Sequence, residues 1–423
     1  MTLEWRRAWI MTLCAAAIMM VTTGVRFTSG LFLSPLNSST GLGVVAISFA
    51  MAIAQVVWGA AQPISGALAD RFGPAKVVAA GGVLLAIGLA LTTVSRSALS
   101  LTFAFGVVCA LGCGGGSFST LMAVVSQRVP AKRRALASGV VNAGASSGQL
   151  FLAPAVQWGI GAQGWVSAML ALAALALVTL PLALPLRRAG EAQAQAPKAV
   201  QSREPGNSMW REVGRALRNR DYLLVSAAFG MCGFHLAFLI THVPGEVELY
   251  GFSATVSANM IAIIGLFNIV GSLAAGALSA RFRMKNVLAA MYVSRAFVVL
   301  AYLAAPKTAS VLYVTAAALG VTWLATVPPT VGLIGAHLGT RHIGSLFGIT
   351  LFAHQVGGYF GAWLGGLALA HFGNYQWMWI FDAALALLAA GLSFLVRDAS
   401  AETGTPASPP RGALSGSPQS ANP

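Results

Sequence analysis

Gly66-Ala67-Leu68-Ala69-Asp70-Arg71-Phe72-Gly73-Pro74-Ala75-Lys76 stands between two long apolar runs, near 44–69 and 76–95. Gly73 and Pro74 suit a tight turn, because glycine reaches positive φ without strain and proline presets its own φ. Arg71 and Lys76 hold that turn on one side of a membrane. Asp70 can pair with these bases or sit at the positive end of a neighbouring helix. The string therefore reads as a short basic loop joining two antiparallel spans. A degraded copy follows 210 residues later as Gly276-Ala277-Leu278 with Arg281-Phe282, where Ala280 stands in place of the acid. Gly139 and Gly148 recur as Gly348 and Gly357 at an offset of 209 residues. Two matches at nearly one offset, with the spacing from Gly to Arg-Phe preserved, indicate an internal duplication. Solute carriers built from repeats hold their cargo between the halves near the membrane midplane.

Composition leads to the same class. Of 423 residues, 57% are hydrophobic and 9% charged, and the mean hydropathy is +0.75. Soluble domains carry about a quarter charged residues, so this chain is too apolar to be one. With about 20 residues per span, apolar segments fall near 8–33, 44–69, 76–95, 99–127, 135–160 and 165–186. A second set lies near 222–243, 254–280, 286–305, 308–337, 344–370 and 375–396. The expectation is an all-α membrane protein with twelve transmembrane helices in two pseudo-symmetric six-helix bundles, residues 1–187 and 222–397. Residues 188–221, with Pro197, Pro205 and Gly206, read as a basic cytoplasmic linker. Residues 398–423, rich in Ser, Pro, Gly and Ala, read as a disordered cytoplasmic tail. The first apolar run shows no small-residue cleavage site and reads as a retained span.

The net charge of +15 does not point to nucleic acid, because 22 of the 26 Lys and Arg fall in the termini or in loops assigned to one side. That bias sets orientation and predicts both termini in the cytoplasm of a bacterial-type inner membrane. Cys14, Cys109, Cys113 and Cys232 all lie in apolar segments, so neither a disulfide framework nor a metal site is indicated. The chain lacks a phosphate-binding loop and a nucleophile–base constellation. ATP-driven pumping and enzymatic activity are therefore not expected, and no cofactor is implied.

The loop at Gly66–Lys76 closely resembles the signature loop of the major facilitator superfamily, at its usual place after the second span. The resemblance implies alternating access, with Gly66, Asp70, Arg71, Gly73, Lys76 and Arg134 acting as a conformational latch. Gly112-Cys113-Gly114-Gly115-Gly116, Arg133-Arg134-Ala135-Leu136-Ala137-Ser138-Gly139, Asn142-Ala143-Gly144 and Gly148 are similar to the monocarboxylate-porter branch. So is Thr23-Gly24-Val25-Arg26 leading to Gly30-Leu31-Phe32-Leu33. That branch moves lactate-, pyruvate- or oxalate-like anions, often with a proton or in exchange. One departure stands out. Members typically carry an Asp and an Arg in the eighth span, whereas here Phe267-Asn268-Ile269-Val270-Gly271-Ser272 has neither charge.

A charge inside the bilayer costs about 2.5–3.5 kcal/mol on insertion scales and marks function by default. Arg26 is the leading candidate: it lies in the outer part of span one, with no acid in that helix, and Arg can hold a carboxylate through two parallel hydrogen bonds. Snorkelling to the interface is the alternative. Arg295 and Asp382, each mid-span, are expected to form a structural ion pair. His235 and His242 share one face of span seven, and His235 is a candidate anion ligand or proton carrier. Glu246 and Glu248 are expected beyond that span's outer end, leaving no other acid buried in an apolar segment. Asn142, Ser146 and Gln149 form one polar stripe; His354, Gln355 and Tyr359 form another; Gln55 and Gln62 share a face of span two. From these the expected substrate site is Arg26, Asn142, Gln149, His235, His354, Gln355 and Tyr359. The expected function is secondary or facilitative transport of a small organic anion, with protons as a candidate co-substrate, by a monomer. Export of amphipathic compounds is the rival reading, and a non-transporting membrane sensor the second.

Overall fold

The computed structural model describes residues 3–130, 133–195, 209–339 and 342–397. The middle of the expected linker, 196–208, and the expected tail, 398–423, lie outside the described residues. Among the described residues there are ten helical stretches long and apolar enough to cross a membrane. One of them, Leu136–Arg187, is 52 residues long. At 1.5 Å per residue it would reach about 78 Å, against a hydrocarbon core of about 30 Å. It folds back at Gly164, which has φ 84°. A Cβ added at Gly159 would come within 3.5 Å of Ala168 Cβ, an approach impossible along one straight helix. A further helix, Ile343–Phe372, is 30 residues long but carries enough Gly, His and Gln to dilute its hydropathy. Twelve spans result.

They are α1 (Leu3–Phe27), α2 (Val44–Phe72), α3 (Pro74–Val94), α4 (Ala98–Met122), α5 (134–163) and α6 (165–187). The second set is α7 (Arg220–Leu249), α8 (Ala254–Arg281), α9 (Met284–Ala304), α10 (Ala309–Leu338), α11 (Ile343–Phe372) and α12 (Gln376–Phe394). Local signals set the boundaries. The Asn219 side chain accepts from Tyr222 N at the start of α7, Thr308 does the same for Val311 N at α10, and Gly73 turns α2 into α3 at φ 91°. These caps satisfy backbone groups that a helix end otherwise leaves bare.

The duplication is visible in the packing. Gly148 of α5 lies against Met20 and Gly24 of α1, and its counterpart Gly357 of α11 lies against Gly230 and Phe234 of α7. At Gly148 a Cβ would come 2.5 Å from the Met20 carbonyl oxygen, so no larger residue fits without separating the helices. Small residues at such crossings let backbones approach where lipid offers no hydrophobic drive for association.

The bundles meet along α2–α11 and α5–α8. Moving from the face opposite the termini towards the middle, Gly366 meets Ser48, Ala362 meets Ala52, Gly358 meets Gln55, and Gln355 meets Gly59. On the other seam, Gly265 meets Gln149, and Asn268 Nδ2 donates to Ser146 Oγ at 2.8 Å. Further towards the termini the contact ends. Gly66, Gly139, Gly276 and Gly348 lie seven or eleven residues from Gly59, Ser146, Gly265 and Gln355, hence on the same helix faces, yet a Cβ on any of them would meet nothing within 4 Å. The structure is sealed on one side and open on the side where α1 begins and α12 ends.

Two elements depart from the sequence reading. First, α7 does not stop near residue 243 but continues through Pro244 to Leu249. Proline costs one intrahelical bond, and the released Ile240 carbonyl faces the close approach of Gly30. Glu246 therefore lies buried within α7, 3% exposed, and not in a loop. Second, α10 is broken: Ala309–Thr322 and Val327–Leu338 are helical and the residues between form a turn ahead of Pro328 and Pro329.

Candidate substrate site between the two bundles

Arg26 sits in the last turn of α1, and side chains on a helix point back towards its N-terminus. Its head thus reaches the level of Gln55 and Gln355, near the middle of α2 and α11, deeper than the outer position expected from sequence. Nη2 donates to Gln55 Oε1, and to Gln355 Oε1 at 3.2 Å. The guanidinium carbon lies 4.1 Å from the centre of the Trp58 ring. Gln355 in turn donates from Nε2 to His354 Nδ1 at 3.0 Å, and the His354 ring lies 4.7 Å from that of Phe229. One cation thereby joins α1, α2 and α11, which belong to both bundles.

Arg26 has no carboxylate within 4 Å among the described residues, and Nε and Nη1 have no protein acceptor there. Glutamine oxygens and an aromatic face orient a guanidinium without cancelling its charge. What remains is a half-buried cation whose Nε–H and Nη1–H groups stay open for charge-assisted hydrogen bonds to an anion.

The other expected ligands are distributed differently. Gln149 is buried under Gly265 with no partner for its Oε1, and Asn142 is half-buried towards the open side on the same helix. Tyr359 does not reach Arg26. It packs with Phe49 at 6.3 Å and Trp363 at 5.7 Å, within the sealed half of the α2–α11 seam. His235 also lies apart: its Nδ1–H donates to Asp382 Oδ2 at 2.6 Å. His242 is fully paired, donating from Nε2 to the Ala362 carbonyl at 2.7 Å and accepting from Tyr375 OH at 3.2 Å.

The expected Arg295–Asp382 ion pair is corrected by the same geometry. α9 and α12 do pack together, but Asp382 bonds His235, while Arg295 donates from Nη2 to the Thr322 carbonyl at 2.6 Å and from Nη1 to Cys232 Sγ at 3.1 Å. The reason is the break in α10. A helix C-terminus exposes carbonyls and the negative end of its dipole, which attract a cation. Glu246 meets Trp379 Nε1 and Tyr250 OH, each at 2.8 Å, so it sits inside the C-terminal bundle and does not line its mouth.

At the open side, Asp70, Arg71 and Lys76 are exposed, and among the described residues no ion pair joins them to each other or to Arg134. Arg134 donates from Nε to the Val129 carbonyl at 3.3 Å. Two residues were not singled out from sequence as parts of the site. Trp58 lies three residues after Gln55, a spacing that shares a helix face, and this could have flagged it. Asn268 occupies the stretch of α8 that was notable for lacking charge. It bridges the seam and also accepts from Leu324 N at 3.0 Å at the α10 break.

Residues 13–362 match the model of the Major Facilitator Superfamily. The chain belongs to that superfamily. Monocarboxylate transporter 13 of Rattus norvegicus is 24% identical over 391 residues, which cover 91% of this chain and 87% of the rat protein. The oxalate:formate antiporter of Oxalobacter formigenes is 23% identical over 265 residues, 62% of this chain and 60% of that protein. A crystal structure of a D-xylose-proton symporter superposes with a TM-score of 0.71 at 15% identity, covering 93% of this chain and 97% of the other. At that identity the likeness concerns the fold. In this major facilitator transporter, the Arg26 cluster spans the seam between bundles, at the depth where carriers of repeated architecture hold their cargo.

Proposed function

We propose that this transporter carries a small organic anion of the monocarboxylate or short dicarboxylate class, bound by Arg26 and moved by alternating access. The observation that carries this reading is an oriented, unneutralised guanidinium at mid-depth between the bundles. A cation held in a membrane at a cost of about 2.5–3.5 kcal/mol, with open N–H groups, is accounted for by an anion that completes it. The names of two relatives, one a monocarboxylate transporter and one an oxalate:formate antiporter, support the same class. Gln55, Trp58, Gln355 and His354 fix the guanidinium plane, and Arg26 binds the carboxylate. The missing charges of α8 are consistent with a single anchoring arginine in the first half. By the asymmetry of the basic loops, the open side faces the cytoplasm, so the structure represents the inward-open state.

Uptake into proteoliposomes tests this directly, using radiolabelled lactate, pyruvate, oxalate and formate. Wild-type protein moves at least one of the four, and Arg26→Ala abolishes that flux while remaining in the membrane. Flux of none of them, with movement of amphipathic cations or neutral drugs instead, would establish the exporter reading.

A further inference from the structure

The last stretch of the expected linker is helical. Met209–Ala216 forms a short helix, and three backbone bonds tie the turn after it. Leu217 N donates to the Val213 carbonyl at 2.9 Å, Arg218 N to that of Arg215 at 3.1 Å, and Asn219 N to that of Ala216 at 2.9 Å. Asn219 then caps α7 by accepting from Tyr222 N. The linker helix is therefore joined to the span by a tight turn and held at the height where α7 enters the membrane. Helical spacing sorts its residues into two opposite stripes: Val213, Ala216 and Leu217 on one, Arg211, Arg215 and Arg218 on the other. Ala216 is fully buried in the core cluster that contains Tyr222 and Leu346, and the Tyr222 hydroxyl donates to the Leu346 carbonyl at 2.8 Å. The linker helix thus packs on α11 beside the start of α7. Leu217, by contrast, is 50% exposed, and Arg215, Arg218 and Arg220 are exposed around it.

The chain itself does not answer these arginines. Among the described residues no carboxylate lies within 4 Å of Arg215, Arg218 or Arg220. Asp221 is taken by Arg397, which donates to it from its backbone N and from Nε, each at 3.0 Å. Residues 196–208 and 398–423 hold no excess of acid: Glu204, Asp398 and Glu402 stand against Lys198, Arg203 and Arg411.

We propose that the linker helix and its turn form a docking surface for anionic phospholipid headgroups of the cytoplasmic leaflet. Leu217 enters the interfacial layer, and Arg215, Arg218 and Arg220 meet headgroup phosphates. Charge and height together select this partner. A helix with one apolar and one basic stripe lies in the membrane interface with its apolar side in the acyl boundary. The planar guanidinium fork matches phosphate oxygens. A soluble polyanion would use the same arginines but leave Leu217 in water. Docking anchors the cytoplasmic ends of α7 and α11, the second of which carries His354 and Gln355 at the anion site. It holds whatever the cargo is.

The test uses full-length protein, purified in detergent and stripped of lipid. Its melting temperature is followed against phosphatidylglycerol, phosphatidylcholine and inorganic phosphate, since binding to the native state raises stability. Phosphatidylglycerol raises the melting temperature at concentrations where the other two leave it unmoved. Each basic residue near an anionic leaflet is worth about fivefold in binding. Combining Arg215→Gln with Arg218→Gln therefore raises the phosphatidylglycerol concentration for half the shift about 30-fold. The lipid-free melting temperature stays at that of wild type, because both side chains are exposed. A second measurement locates the surface. The native cysteines are buried or half-buried, so a dye is placed on Leu217→Cys in vesicles of phosphatidylcholine with phosphatidylglycerol. Lipids brominated in the acyl chain quench it, and quench it less when Arg215→Gln and Arg218→Gln are added. Equal stabilisation by phosphatidylcholine and phosphatidylglycerol would overturn the proposal, as would an unshifted concentration in the double variant. So would a dye quenched by aqueous iodide and not by brominated lipid. Stabilisation by inorganic phosphate alone would mark a soluble phosphate ligand and likewise overturn docking to the leaflet.

Discussion

Arg26 and Arg295 are both arginines inside apolar helices, yet their surroundings differ in kind. Arg295 is 1% exposed and is spent on structure: it caps the carbonyls released where α10 breaks and reaches Cys232 Sγ. Arg26 is half-buried, oriented by two glutamines and an indole, and left with open N–H groups facing the space between bundles. Depth and residue type do not separate an anchor from a strut. What separates them is whether the protein itself supplies the acceptors. The pseudo-symmetry sharpens the contrast, because α4 is also interrupted, at Gly116 and Ser117, and there the Gly116 carbonyl accepts from the Thr22 hydroxyl at 3.1 Å, while the equivalent α10 break is met by a guanidinium.

The contrast can be broken by substitution. Arg295→Met strips the α10 carbonyls of their cation and leaves Asp382 less compensated. Losing one member of a buried charged network costs about 3–5 kcal/mol, so melting of purified protein drops sharply and membrane abundance falls. Arg26→Ala removes a ligand contact and, in the unliganded protein, only the hydrogen bonds to Gln55 and Gln355 and the stacking on Trp58. Truncating one side of a buried hydrogen-bonded charge pair costs about 2–5 kcal/mol of binding, hence more than ~30-fold in transport affinity, with abundance unchanged. An Arg26→Ala protein that is lost from the membrane would make the two arginines alike.

Smaller effects refine the picture. Trp58→Leu removes the ring beneath Arg26, and a cation–π contact is worth about 0.5–2 kcal/mol. Carboxylate affinity should weaken by several-fold, as read by concentration-dependent uptake, without loss of the anion preference. Cys232→Ala removes a soft acceptor from Arg295 while its carbonyl partners remain. A hydrogen bond of this kind contributes about 0.5–1.5 kcal/mol, so melting shifts slightly and carboxylate affinity not at all. A change in affinity at Cys232 would join the two clusters more tightly than their geometry requires.

Much of the fold is legible in the sequence, because hydropathy and turn chemistry are local. The loop at Gly73, the fold-back at Gly164 and the glycine pairs of the duplication are all set within a few residues of themselves. Arg26 is legible for the same reason: its own apolar span, residues 8–33, offers no acid. The partner of Asp382 is not legible, since His235, Arg295 and Asp382 come from three helices and sequence spacing does not say which faces meet. The continuation of α7 through Pro244 is hidden because proline commonly ends a helix. Here the gap it leaves is filled by packing from elsewhere in the chain, and Glu246 is drawn inside. Tyr359 shares α11 with Gln355 and His354, four residues or one turn beyond Gln355, but the seam tilts it into the sealed half beside Phe49 and Trp363. One turn of helix separates a residue at the site from one at the seal.

The most direct test is thermal stability of purified wild-type and Arg26→Gln protein with and without lactate, pyruvate, oxalate and formate. Only binding to the native state raises stability. At least one carboxylate should raise the melting temperature of wild-type protein and leave that of Arg26→Gln unmoved, with the two unliganded proteins melting close together. Equal stabilisation of both proteins by a carboxylate would contradict the assignment of Arg26 as the anion anchor.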